Sequence, residues 1–149
     1  MSALEIRLDN DLSNIFHIEQ NGLSVGHIEL KWSGTQATIT LCGTSYDAWW
    51  QGILSPTYYL GADGTCVASA RRPTFLHRRF VVQTGAKTYA LAVRNFVGLE
   101  FVFTESDVEI GFITRHGTRK MKAEFPDDLL LEVQAFLIWL TMCAAINIE

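Results

Sequence analysis

The chain has 149 residues, 48% hydrophobic and 19% charged, with a formal net charge of −4 and a pI of about 5.5. This length fits one domain spanning 1–149, and the apolar mass excludes a disordered chain. The acidic balance excludes a general nucleic-acid binder, whose domain pI usually exceeds about 9. Cys42, Cys66 and Cys143 are odd in number and form no CxxC pair, so a disulfide framework is not expected and a reducing compartment is. The opening Met1-Ser2-Ala3-Leu4-Glu5-Ile6-Arg7 lacks the basic and apolar regions of a secretory signal. The expected location is cytoplasmic.

The first two thirds of the chain read with period two, the signature of strands. Leu4, Ile6 and Leu8 alternate with Glu5 and Arg7, and Phe16 and Ile18 with His17 and Glu19. Asn21-Gly22 then marks a hairpin, and a two-residue turn there sets Ile18 against Val25. Asp63-Gly64 separates Tyr58-Tyr59-Leu60 from Cys66-Val67-Ala68. Gly85-Ala86 predicts the pairs Val82–Tyr89 and Phe80–Leu91. Glu105-Ser106-Asp107 divides Phe101 and Phe103 from Val108, Ile110 and Phe112. Short strands at regular spacing predict an all-β sandwich or barrel. Ala3–Ile28 also matches Thr88–Ile113 at an offset of 85, aligning Phe16 with Phe101, Gly26 with Gly111 and Ile28 with Ile113. That is the trace of an internal repeat.

The pattern changes after Phe125-Pro126. Asp127 and Asp128 are placed to cap a helix and favour its positive end, and Leu129 to Ile146 follow as a run rich in helix formers. Glu132, Gln134 and Thr141 form no polar stripe, so the helix is apolar on every side and must be surrounded. A bilayer needs about 20 apolar residues, and Glu132 inside the run would cost about 2.5–3.5 kcal/mol there. A shell of the chain's own strands satisfies every side chain at once. The expectation is a buried core helix and no transmembrane segment.

Several stretches carry a family resemblance: Arg71-Arg72-Pro73-Thr74-Phe75-Leu76-His77-Arg78-Arg79-Phe80-Val81-Val82, Gly85 to Leu91, Val108 to Ile113, and Phe125-Pro126-Asp127-Asp128 through Leu140. Over about residues 45 to 146 the chain resembles the tubby C-terminal-like superfamily in its LURP-one-related branch, which includes relatives of the phospholipid scramblases. The resemblance implies a mainly β fold: about twelve antiparallel strands closed around a central hydrophobic C-terminal helix. It carries over no site residue, because the positions for tubby-type lipid binding find no match.

Two basic clusters interrupt the acidic background. One holds Arg71, Arg72, His77, Arg78 and Arg79, the other Arg115, His116, Arg119, Lys120 and Lys122. Arginine forks suit phosphate. Arg71, Arg72, His77, Arg78, Arg79, Arg115, Arg119 and Lys120 are therefore the candidates for an anionic phospholipid headgroup or a protein partner; the plainer alternative is charged outward positions of any barrel. His17, His27, His77 and His116 lack metal spacing. Asp9-Asn10-Asp11 resembles the start of a calcium loop without its later ligands. No P-loop, GxGxxG or GxSxG occurs, so no catalytic residue and no cofactor are expected. The reading is a non-enzymatic binding or regulatory domain, peripheral to a membrane. The alternative is a small-molecule binder or enzyme with a pocket lined by Tyr46, Trp49, Trp50, Tyr58 and Tyr59.

Overall fold

The structure is a computed structural model describing residues 1–10, 13–31, 36–52, 54–73, 79–95, 100–117 and 119–146. Twelve strands run in chain order: β1 (Ser2–Leu8), β2 (Ile15–Gln20), β3 (Leu23–Leu30), β4 (Gln36–Leu41), β5 (Thr44–Gln51), β6 (Thr57–Ala62), β7 (Thr65–Arg71), β8 (Arg79–Thr84), β9 (Lys87–Asn95), β10 (Glu100–Glu105), β11 (Val108–His116) and β12 (Lys120–Phe125). One helix follows, α1 (Leu131–Ile146). Each strand pairs antiparallel with its chain neighbours, and β1 pairs with β12 to close a barrel. The expected period-two pattern is visible in β1, where Ser2, Leu4, Ile6 and Leu8 are buried and the residues between them are not.

Closure at twelve strands creates a demand. About eight strands leave an interior that side chains fill, and sixteen or more leave a channel. Here α1 occupies the space. Its 16 residues rise about 24 Å, close to the reach of a seven-residue strand at about 3.3 Å per residue. Val133 and the whole run Ala135–Leu140 are fully buried. No helix among the described residues is long and apolar enough to cross a membrane. Outward strand positions carry Glu5, Arg7, Glu29, Asp47, Lys122 and Glu124, whereas a lipid-facing barrel is apolar outside and polar within.

The helix lies closest to β4 and β6. Alanines are concentrated among the inward residues on that side, with Ala37 opposite Ala48 and with Ala68 and Ala70 beyond, beside the larger Ile39, Leu41, Tyr58 and Leu60. The opposite wall presents Phe80, Tyr89, Phe101, Phe103 and Phe125. Small side chains admit the helix, and large rings fill the remaining gap, as close packing requires.

Register shows a threefold repeat. After the pairs Ile18–Gly26, Leu60–Ala68 and Phe103–Gly111, the ladder shifts by one residue. The first members lie 42 and then 43 positions apart. Each bulge leaves one β-branched residue unpaired, Val25, Val67 or Ile110, and each packs against the core. Each is followed by the small residue that opposes the pair. The offset of 85 read from the sequence therefore joins the first and third units of three. The bulge also corrects the expected pairing of Ile18 with Val25: Gly26 faces Ile18 instead. Val82–Tyr89 and Phe80–Leu91 pair as expected.

Asp127 and Asp128 do not cap α1. Leu130 holds that place, its carbonyl accepting from the amides of Val133 and Gln134 at 3.0 Å. Asp127 instead pairs with the Met1 amine at 3.1 Å. The buried Gln134 amide donates to the Leu129 carbonyl at 2.7 Å and accepts from the Ser2 hydroxyl at 3.3 Å. Thr141 donates back to the Ile138 carbonyl at 2.7 Å, so both polar side chains of the helix interior are satisfied.

Candidate binding surfaces

Antiparallel strands send their connections alternately to two ends of the barrel. Turns 21–22, 42–43, 63–64, 85–86 and 106–107 lie at one end, with segment 126–130 entering the helix there. The strand ends Leu8 and Ile15, Leu30 and Gln36, Gln51 and Thr57, Arg71 and Arg79, Asn95 and Glu100, and His116 and Lys120 lie at the other, the loop end. The tight turns come from residues that accept positive φ, such as Asn21 at 54° before Gly22 at 79°.

Charge follows this division. Arg7, Lys31, Arg71, Arg79, Arg94, Arg115, Arg119 and Lys120 stand at or near the loop end, while Asp63, Glu105, Asp107, Asp127, Asp128 and Glu132 gather at the hairpin end. Lys87 is the only described lysine or arginine at the hairpin end, and Glu105 pairs with it at 3.8 Å. The loop end also holds the acids Asp9, Glu29 and Glu100; Asp9 meets His17 at 3.0 Å, and Glu100 meets Arg94 at 3.1 Å. Arg94 also pairs with Glu109. Among the described residues Arg71, Arg79, Arg115 and Lys120 make no ion pair. The helix dipole runs the same way. Its positive start faces the acidic end and its negative end the basic one, so both charge groups stabilise it.

The structure brings the two basic clusters to one end but not into one group. Arg71 ends β7 and Arg79 begins β8, both exposed and outward, with Arg71 opposite Val81. They are diagonal neighbours on the wall, roughly 7–8 Å apart at Cα. A groove of about 220 Å³ lined by Thr57, Ser69, Arg71, Val81 and Gln83 runs beside Arg71. Arg115, His116, Arg119 and Lys120 lie around the β11–β12 turn, three strand spacings from β8, or about 14 Å. His77 and Arg78 lie outside the described residues, as does Asp11 of the calcium-like start.

Arg72 is a correction. It is 2% exposed, so it is not a surface contact. It turns inward at the mouth of the barrel, donates a hydrogen bond to the Tyr58 hydroxyl and lies over Phe80 with its guanidinium carbon 5.8 Å from the ring centre. Its charge also acts on Cys143 in the last turns of α1. A buried cation beside a helix C-terminus complements the dipole. Burial pushes the Cys143 thiol well above its ordinary range, against the opposing pull of Arg72. Burial likewise raises Tyr58, with Cys143 adding to the rise and Arg72 opposing it.

The aromatic group divides as well. Tyr58 is buried against Phe80 and Trp139, and Tyr46 and Trp50 also pack toward the core. Trp49 and Tyr59 point outward and stack at 5.4 Å with 24° between planes. The five residues therefore do not line one pocket. No family model, curated protein or solved structure matches this chain. The arrangement of its own residues is what bears on function. His17 and His27 oppose each other across β2 and β3, yet among the described residues no three His, Cys, Asp or Glu side chains gather to hold a metal. Sequence reasoning missed a polar frame around Trp49, made by Lys31, Gln36, Thr38 and Asp47. The outward alternation of β4 and β5 was its only signal.

Proposed function

We propose that this chain is a non-enzymatic binding domain whose basic loop end contacts anionic phospholipid headgroups at a cytoplasmic membrane surface. The observation that carries the reading is the axial segregation of charge, with Arg71 and Arg79 exposed and making no ion pair among the described residues. A polar object of this kind orients toward a negative surface despite a net charge of −4, because its acidic end is held away by the barrel's length and screened beyond about 10 Å. The resemblance to LURP-one-related domains supports the same reading, and membership of that family is part of the proposal. The interior is filled by α1, which favours contact through the outside of the barrel over chemistry within it.

Co-sedimentation with vesicles tests the reading. The chain is expected to bind phosphatidylserine-containing vesicles at low salt and to leave pure phosphatidylcholine vesicles unbound. Each basic residue near such a surface contributes about 1 kcal/mol. Arg71→Glu with Arg79→Glu therefore weakens binding by about thirtyfold or more, while Lys87→Glu at the far end has no such effect. Binding that ignores the double reversal overturns the proposal.

A further inference from the structure

We propose that the outer wall of β4 and β5 carries a separate carbohydrate site, in which one neutral sugar ring packs against the Trp49 indole within a polar frame. Three observations carry it, none involving the basic end.

The first is the aromatic platform. Most outward positions on this barrel are polar, yet Trp49 and Tyr59 stand side by side on neighbouring strands and stack. Gly61 makes room for the indole: a Cβ there would lie 3.1 Å from the ring. The ring is thus laid along the wall, fixed by its neighbour before any ligand arrives. A rigid aromatic surface offers contact area at little entropic cost.

The second is shape. A concavity of about 160 Å³ adjoins Trp49, lined also by Lys31, Gln36, Thr38 and Asp47. Sites that enclose a whole drug-sized ligand measure about 300–1,000 Å³. This one is sized for a single ring, with the remainder of a glycan left in solvent.

The third is unspent hydrogen-bonding capacity. Gln36 sits opposite Trp49, and Thr38 opposite Asp47. The Lys31 amide donates to the Gln36 carbonyl at 2.9 Å, which holds Lys31 at the upper edge. Among the described residues the side chains of Lys31, Gln36, Thr38 and Asp47 make no hydrogen bond or ion pair. Together they offer a carboxylate that accepts, an ammonium that donates, and an amide and hydroxyl that do both. That mixture matches vicinal hydroxyls, each of which donates and accepts. The charges also select: Asp47 opposes an anion and Lys31 opposes a cation, leaving a neutral polyhydroxylated ring with apolar C–H groups for the indole.

The test is a titration of the full 15N-labelled chain with methyl glycosides of glucose, galactose, mannose and N-acetylglucosamine. At least one is expected to give saturable shifts at the Trp49 indole N–H and at residues 36–38 and 47–49, with a Kd on the order of 1–10 mM. Trp49→Ala weakens that binding at least tenfold, and Asp47→Asn, at an exposed position, weakens it severalfold without touching the platform. The double variant Arg71→Glu with Arg79→Glu binds sugar as the unmodified chain does, so failure of the vesicle reading and of this one are separable. Absence of saturable shifts with all four glycosides overturns the proposal. So does wild-type affinity in folded Trp49→Ala or, should that variant not fold, in Asp47→Asn.

Discussion

Trp139 at the centre of α1 sets two opposing effects against each other. It is fully buried, stacked on Phe136 at 6.0 Å and edge-on to Tyr58 at 5.8 Å. Its Nε1–H finds no hydrogen-bond acceptor among the described residues, and a buried unmet donor costs about 1–3 kcal/mol. Trp139→Phe removes that donor and keeps an aromatic ring. It gives up apolar burial equivalent to roughly two methylenes, about 1.6 kcal/mol at 0.8 each. The two nearly cancel, and Trp139→Phe is expected within about 1.5 kcal/mol of the parent. Trp139→Ala keeps neither ring nor contact and is expected to cost about 3–5 kcal/mol. Urea denaturation followed by far-ultraviolet circular dichroism reads both variants against the parent. If Trp139→Phe costs as much as Trp139→Ala, the indole nitrogen is satisfied in the native state and the argument fails.

Other substitutions probe the wall. A Cβ on Gly26 would lie 1.9 Å from the Thr40 carbonyl oxygen, and one on Gly111 would lie 2.5 Å from that of Glu124. Both are backbone atoms that cannot swing aside, so each Ala variant is expected to lose about 3 kcal/mol or more, at the top of the overpacking range. Gly22, with nothing within 4 Å, is expected to lose only about 1 kcal/mol on change to Ala, from its positive φ; thermal melting ranks the three. Arg72→Ala removes the Tyr58 hydrogen bond and leaves a cavity over Phe80, and is expected to cost about 2 kcal/mol or more by chemical denaturation; a neutral result refutes the placement. Alkaline pH supplies a fourth check. Cys143 and Tyr58 both have raised folded pKa values, above ordinary values of 9.0 and 10.0. The folded chain keeps protons that the unfolded chain releases, so their contribution is complete below about pH 9 and declines as pH rises. Each group adds a slope of about 1.4 kcal/mol per pH unit. Cys143→Ala is expected to flatten the onset of that decline between pH 9 and 10 when stability is measured by urea at each pH.

Much of the fold was legible because side-chain period and turn chemistry are local. Leu4, Ile6 and Leu8 announced β1, and Asn21-Gly22 and Asp63-Gly64 announced their turns. The buried helix was legible because Leu129 to Ile146 offers no polar stripe. Register was less so. Val25 reads as the natural partner of Ile18, and only the bulge, a property of two strands together, puts Gly26 there. Arg72 misled for a related reason: nothing between Arg71 and Arg79 states that one arginine in the run turns inward to meet Tyr58 and the helix end. The frame around Trp49 was hidden because Gln36, Thr38 and Asp47 are ordinary outward residues until β4 and β5 set them beside an indole.

The seam between β1 and β12 has a consequence for how the barrel comes into being. Ser2 lies opposite Phe125 and Arg7 opposite Lys120, so the ring cannot shut until nearly every stave has been made. The filling must also be seated before the last gap seals, since a closed ring of strands offers α1 no way in. Contacts this distant in sequence make for slow assembly. Meanwhile β1 waits with one edge bare and ready to pair with a stranger. A chaperone requirement, or inclusion bodies on rapid overexpression, follows from that single late-closing joint.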